Sequence, residues 1–234
     1  MADPLINVRG VTKNYGGLRP LRLAALTIAP GDRLAILGID APAAEILVNL
    51  LTGASLPDEG EVRLFGRATA AISDADDWMA TLDRVGMVSP RAMLAEELTV
   101  AQGIAMAFTL SLDPIPGQVS ADVARLARDA GLAAGDLGMR VSDAAPLVKA
   151  RCRLARALAT APAVLVLEHA NALVADGSEA FGREIAALAK TRGMAVLTLT
   201  ADEAFARAVA DRVFSLDAAS GQLKTRGGWR RWFS

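Results

Sequence analysis

The clearest pattern along the chain is a series of short apolar runs, each closed by a turn residue and separated from the next by helical spacing. Leu34–Leu37 is one such run, entered by a Pro30-Gly31-Asp32 turn and closed by Gly38. From Ala43 to Leu51 the apolar residues Ile46, Leu47, Leu50 and Leu51 recur at helical spacing, which predicts a helix capped by Gly53. Glu61–Phe65 alternates up to Gly66 and predicts a half-exposed strand. Val164–Leu167 and Ala195–Leu199 read as buried strands, and Val213–Leu216 as a last strand before a turn at Gly221. Strands alternating with helices predict an α/β domain with a largely parallel sheet. The middle, from about Ser73 to Val141, carries Ala-rich helical segments broken at Pro114–Gly117, and reads as a helical insertion. No internal repeat is visible, and the Ala-rich tracts keep helical periodicity, so they are not linkers.

Composition narrows the functional classes. The 234 residues make one large domain or two small ones. Apolar residues are 53% of the chain and aromatics only 4%, which excludes a disordered polymer. Lys and Arg number 25 against 26 Asp and Glu, so no global basic field exists to hold nucleic acid, and no nucleic-acid partner is expected. A lone cysteine, Cys152, has no internal disulfide partner, which fits a reducing compartment. The opening segment lacks a basic region followed by an apolar core, and Leu98–Leu112 is too short to span a bilayer. A soluble, cytosolic-type protein is expected.

A strand, then Gly38, then a helix is the layout of a phosphate-binding loop. That chemistry needs the pattern G-x-x-x-x-G-K-[ST]. Backbone N–H groups close on the phosphates, the lysine neutralises β/γ charge and the hydroxyl ligates Mg²⁺. Here the segment from Gly38 keeps only the first glycine. Ala44 stands where the lysine belongs, Glu45 where the Ser/Thr belongs, and Pro42 removes a backbone donor.

The framing residues resemble those of a known family, the ATPase subunits of ATP-binding-cassette (ABC) transporters. Val11–Leu18 is similar to the family's opening strand with its adenine-stacking tyrosine, here Tyr15. Gly31–Gly38, Asn49–Gly53 and Asp58–Gly66 resemble the strand, helix and next strand around its Walker A loop. Leu98–Val100 resembles the stretch after its Q-loop, and Leu154–Pro162, Val164–Leu167 and Ala210–Asp217 complete the series. The likeness runs from about Leu5 to Leu223 in the family's order and spacing.

The family's catalytic positions are occupied differently. At the Walker B position, Val164–Leu167 is followed by Glu168 and His169, so histidine replaces the water-polarising glutamate. Ala201 aligns with the switch histidine, Ser89 or Pro90 with the Q-loop glutamine, and Ala175 with the D-loop aspartate. The signature that lids a partner's nucleotide aligns with Ala144–Val148, where Pro146 lacks an N–H and Leu147 and Val148 add bulk. Preorganised charge supplies most phosphoryl-transfer catalysis, and losing one donor costs about 3–4 kcal/mol. With several such groups absent, hydrolysis is not expected, and Glu45 beside a triphosphate would repel it.

Each remaining candidate has a plain alternative. His169 reads as a packed or hydrogen-bonded residue in preference to a catalytic one. Tyr15 stacks on adenine, as the resemblance implies, or packs on the sheet edge. Glu168 reads as a strand-end carboxylate in preference to a metal ligand. Cys152 reads as a buried small residue, and Lys149, Arg151, Arg153 and Arg156 as a solvated helix face. The C-terminal tail interleaves Lys224, Arg226, Arg230 and Arg231 with Trp229 and Trp232, which suits a partner protein or an anionic membrane surface, a frayed end being the plain reading.

The resemblance implies an α/β fold of the P-loop NTPase-like ABC ATPase type, with a mostly parallel core sheet, an antiparallel N-terminal β subdomain and a helical insertion at about 90–160. It spans residues 1–224, with the tail at 225–234. The expected function is a catalytically degenerate subunit, peripheral on the inner face of the membrane. It pairs with itself or with an active ATPase and couples to a membrane permease. Docking is expected at Met93, Leu94 and Leu98, rimmed by Arg91, Glu96 and Glu97. No catalytic residue, metal or cofactor is expected, with Tyr15, Gly38 and Glu168 as residual nucleotide-site positions. Two alternatives stand beside it: a divergent ATPase that binds Mg·ATP and hydrolyses it slowly, and an interaction module that has left transport.

Overall fold

The structure, a computed structural model, describes residues 3–72, 74–174 and 176–225. The chain opens with β1 (Ile6–Lys13) and β2 (Leu21–Ile28), followed by β3 (Arg33–Leu37), α1 (Ala41–Thr52), β4 (Glu59–Leu64) and the short β5 (Arg67–Ala68). Helix α2 (Ala75–Leu82) leads to β6 (Val85–Val88). Helices α3 (Val100–Ala105), α4 (Gly117–Asp129) and α5 (Pro146–Ala157) lie between β6 and β7 (Val164–Glu168). The rest runs α6 (Ser178–Arg192), β8 (Ala195–Thr200), α7 (Glu203–Val209), β9 (Arg212–Leu216) and β10 (Leu223–Thr225).

Two sheets result among the described residues. One is antiparallel in the order β2-β1-β4-β5; the other has the order β10-β9-β3-β8-β7-β6, parallel except for β10. Strands β7 and β8 are buried along their whole length, as helices on both faces of a parallel sheet require, which is why their sequences are unbroken apolar runs. The Ala24 N–H donates to the Gly221 carbonyl at 2.7 Å and ties the two sheets together. One apolar cluster joins α1 to both sheets; a second, centred on α3, α4 and α5, continues under β7 and α6.

Two boundaries differ from the sequence reading. Helix α1 begins at Ala41, not near Ala43, because the Asp40 side chain accepts the Ala43 N–H at 2.8 Å and Pro42 suits the first turn. The middle segment, which reads as a helical insertion, also contains β6. It is a four-residue edge strand, too short for a period, and its pairing with Val164–Leu167 is remote in sequence. Gly86 lets this strand lie close to α5: a Cβ there would sit 2.6 Å from the Ala157 carbonyl oxygen. Gly53 caps α1 as expected, in the left-handed region, with its N–H on the Leu50 carbonyl.

Candidate functional site

The ends of β3, β6 and β7 and the start of α1 converge at the carboxyl edge of the parallel sheet, where open α/β folds place their ligands. Gly38 turns the chain out of β3 with its N–H on the Thr200 carbonyl at 2.8 Å. Asp40 then caps α1 with its own carboxylate. A helix N-terminus attracts an anion, and here the chain provides one from the preceding residue.

The residues expected at this site divide into four places. Tyr15 and Gly38 line one cavity of about 510 Å³ together with Asp40, Pro42 and Arg19. Glu45, Glu168 and His169 line a second cavity of about 470 Å³ on the other side of Pro42. Ala44 reaches neither: it is 0% exposed and packs in the apolar cluster with Leu47 and Val48. Ala201 is exposed beyond the end of β8. The D-loop position, Ala175, and the tail from Arg226 onward fall outside the described residues.

The second cavity is also lined by Arg91, on the loop after β6. Its Nε lies 3.0 and 3.2 Å from the two Glu168 carboxylate oxygens, and one Nη donates to Glu168 at 2.8 Å. The other Nη donates to Glu45 at 3.1 Å. The Glu168 side chain is 4% exposed, whereas Arg91 is 43% exposed, so the guanidinium lies between a buried carboxylate and solvent. The Glu168 carboxylate, hydrogen-bonded to it, holds the Arg91 guanidinium above its ordinary value. The sequence reading placed Arg91 on the rim of a docking surface; the structure directs its guanidinium to Glu45 and Glu168. Its contacts lie 46 and 77 residues away along the chain, which no local pattern reveals. The signal that was available is Asp40-Ala41-Pro42, a capping pattern that competes with phosphate.

His169 follows Glu168 in a left-handed conformation (φ 45°, ψ 36°), with its N–H on the Leu199 carbonyl at 2.8 Å. Its Nε2 is buried without a hydrogen-bond partner. Thr200 donates to the Asn171 side chain at 2.7 Å and accepts the Asp202 N–H at 3.0 Å, which leaves this strand end self-satisfied. Among the described residues no group of three His, Cys, Asp or Glu side chains is placed to hold a metal ion.

The expected docking residues separate by depth. Met93 is 84% exposed, Leu98 is half-buried, and Leu94 is 8% exposed and belongs to the apolar cluster of the helices. Leu94 therefore belongs to the core and not to the exposed surface. Nor is the basic face of α5 simply solvated. Arg153 donates to the Ala92 carbonyl at 2.8 Å, Arg156 to the Met93 carbonyl at 3.0 Å, and Arg151 pairs with Glu184. Cys152 is buried, and burial pushes its thiol up to about 11 despite the neighbouring arginines. No helix among the described residues is long and apolar enough to cross a membrane.

No protein-family model matches the chain. It is 32% identical over 217 residues to a methionine import ATP-binding protein, MetN, of Caulobacter vibrioides, covering 92% of this chain and 64% of that protein. It is 30% identical over 228 residues to a sulfate/thiosulfate import ATP-binding protein, CysA 2, of Chromobacterium violaceum, covering 95% of this chain and 58% of that protein. The chain thus spans less than two thirds of the length of these relatives. Among solved structures it superposes on the dimeric, post-hydrolysis ATP-binding cassette MJ0796 bound to ADP and Pi with a TM-score of 0.74, at 19% identity, over 96% of this chain and all of that one. It matches cbiO1 of Clostridium perfringens, part of the ABC transporter complex cbiONQ, with a TM-score of 0.74 at 18% identity, over 95% of this chain and 87% of that one. The structural matches establish a shared fold, the one that the resemblance implied.

Proposed function

We propose that this chain, which carries the ATP-binding-cassette fold and is homologous to ABC import ATP-binding proteins, serves as a transporter subunit that keeps the fold and its docking surface without hydrolysing ATP. The observation that carries this reading is the Arg91 bridge, in which one guanidinium occupies the two carboxylates, Glu45 and Glu168, that stand at the Walker positions. Mg·triphosphate does not suit this donor set. Ala44 offers no ammonium, Glu45 adds repulsion, and the Asp40 carboxylate already accepts an N–H of α1. His169 and Ala201 supply no carboxylate or second imidazole to polarise a water.

What such a subunit retains is surface. Met93 and Leu98 form an apolar patch beside Glu96 and Glu97 that would hold a membrane permease subunit, with a second copy or an active ATPase completing the pair. The protein would then sit on the inner face of the membrane. Two experiments test this. Calorimetry with the isolated chain and Mg·ATP should give weak binding or none; micromolar affinity refutes the reading. Purification from native membranes should recover a permease, and Met93→Asp should abolish that recovery. A folded Met93→Asp chain that still co-purifies with the same membrane protein removes this surface from the interface. Tyr15 and Gly38 on a single cavity favour the alternative, a divergent cassette that still binds Mg·ATP, and the same calorimetry decides between them.

A further inference from the structure

We propose that Arg91 is a built-in tie that clamps the helices between β6 and β7 onto the core without any ligand, so that the surface carrying Met93 is held in a docking-ready position at all times. The proposal rests on the non-hydrolysing reading above. It begins from the segment 89–94, which is fastened on both sides. On the core side, Arg91 reaches Glu168 at the end of β7 with three contacts of 2.8 to 3.2 Å and Glu45 on α1 with one of 3.1 Å. Its own N–H donates to the Ser89 hydroxyl at 3.0 Å, which shapes the turn. On the helical side, Arg153 and Arg156 of α5 hold the carbonyls of Ala92 and Met93, and Leu94 inserts into the apolar cluster of α3, α4 and α5.

Three consecutive residues therefore link the two halves: Arg91 faces the core, while Ala92 and Met93 are gripped from α5. Glu168 makes the stronger core-side attachment, because its almost fully buried carboxylate accepts several short charge-assisted hydrogen bonds from the guanidinium. Glu45 adds a weaker, solvent-screened contact. In this arrangement a cation from the chain itself performs the joining of α1, β7 and the following loop, and no added ion or nucleotide is needed to complete it.

Hydrogen exchange of the full, ligand-free chain tests this. Arg91→Met should speed exchange of the 91–98 amides by about tenfold while leaving the β1 and β2 amides unchanged. Arg91→Lys and Glu45→Gln should give smaller increases in the same segment, and Arg153→Met should release it from the other side. Exchange at 91–98 within about twofold of the wild type in a folded Arg91→Met chain overturns the tie. Should Arg91→Met fail to fold, Arg91→Lys and Glu45→Gln decide: faster local exchange supports the tie and unchanged exchange overturns it. The readout needs neither nucleotide nor permease, so failure of the tie leaves the transporter reading standing. Micromolar Mg·ATP binding would overturn that reading without altering exchange in the ligand-free chain.

Discussion

Placing a lysine at position 44 is the obvious repair of the phosphate loop, and the structure predicts that it damages the protein without restoring the site. Ala44 is fully buried in the apolar cluster with Leu47, Val48 and Ile39. A lysine there adds four heavy atoms to a packed core, and overpacking alone costs about 1–3 kcal/mol. Its ammonium must also leave water or thread outward along α1, and a buried charge costs several kcal/mol before any relief from snorkelling. Glu45, the neighbouring carboxylate, already contacts Arg91 and offers only a partly solvated partner. A net loss of about 3–5 kcal/mol is expected for Ala44→Lys, a large share of the roughly 5–15 kcal/mol that stabilises a typical domain. Urea unfolding followed by circular dichroism should show the midpoint falling by about 1 M or more. Calorimetry on the same preparation should show no gain in Mg·ATP affinity, and the double change Ala44→Lys with Glu45→Ser should remain inactive because His169 supplies no catalytic carboxylate. An Ala44→Lys chain with an unchanged midpoint and new micromolar Mg·ATP binding would show that the side chain clears the core and enters the loop, which refutes this reasoning.

Three further outcomes are expected. With its thiol raised to about 11, native Cys152 should react with a thiol reagent at pH 8 more than about a hundredfold slower than in denaturant; similar rates would show that burial does not protect it. Gly86→Ala places a Cβ 2.6 Å from the Ala157 carbonyl oxygen and 2.9 Å from Pro162, so α5 must shift away from β6; a loss of about 1–3 kcal/mol should appear as a Tm lowered by about 2–4 °C per kcal/mol, whereas an unchanged Tm contradicts the close approach. The Lys224 side chain, followed by the Ser220 and Ala219 N–H groups, depresses the Asp217 carboxyl to about 2. Because the folded value lies below the unfolded one, this contribution is complete above about pH 4 and fades as pH falls towards 2, so a carboxyl titration by NMR that centres Asp217 near 4 would contradict it.

The sequence by itself determined the architecture and the loss of particular chemical groups. Short β-branched apolar runs such as Val164–Leu167, bounded by turn residues, fit strands covered on both faces, and the spacing of Leu47, Leu50 and Leu51 fits one buried side of a helix, so both are legible without tertiary knowledge. The absence of lysine at 44 and of Ser/Thr at 45 is likewise a statement about residue types at fixed positions. Tertiary structure alone decided where the remaining charges go. Pairing strength between Arg91, Glu45 and Glu168 depends on three elements meeting at one sheet edge, and local periodicity carries no information about partners 46 and 77 residues distant. The same holds for Met93 and Leu94. Adjacent in an irregular loop, they have no period to say which points inward, and the answer comes from the arginines of α5 that grip the backbone on one side and the apolar cluster that receives Leu94 on the other. Strand β6 escaped for a related reason: four residues are too few to show a period, and its place at the sheet edge is set by pairing with β7, in which Val85 meets the distant Val164.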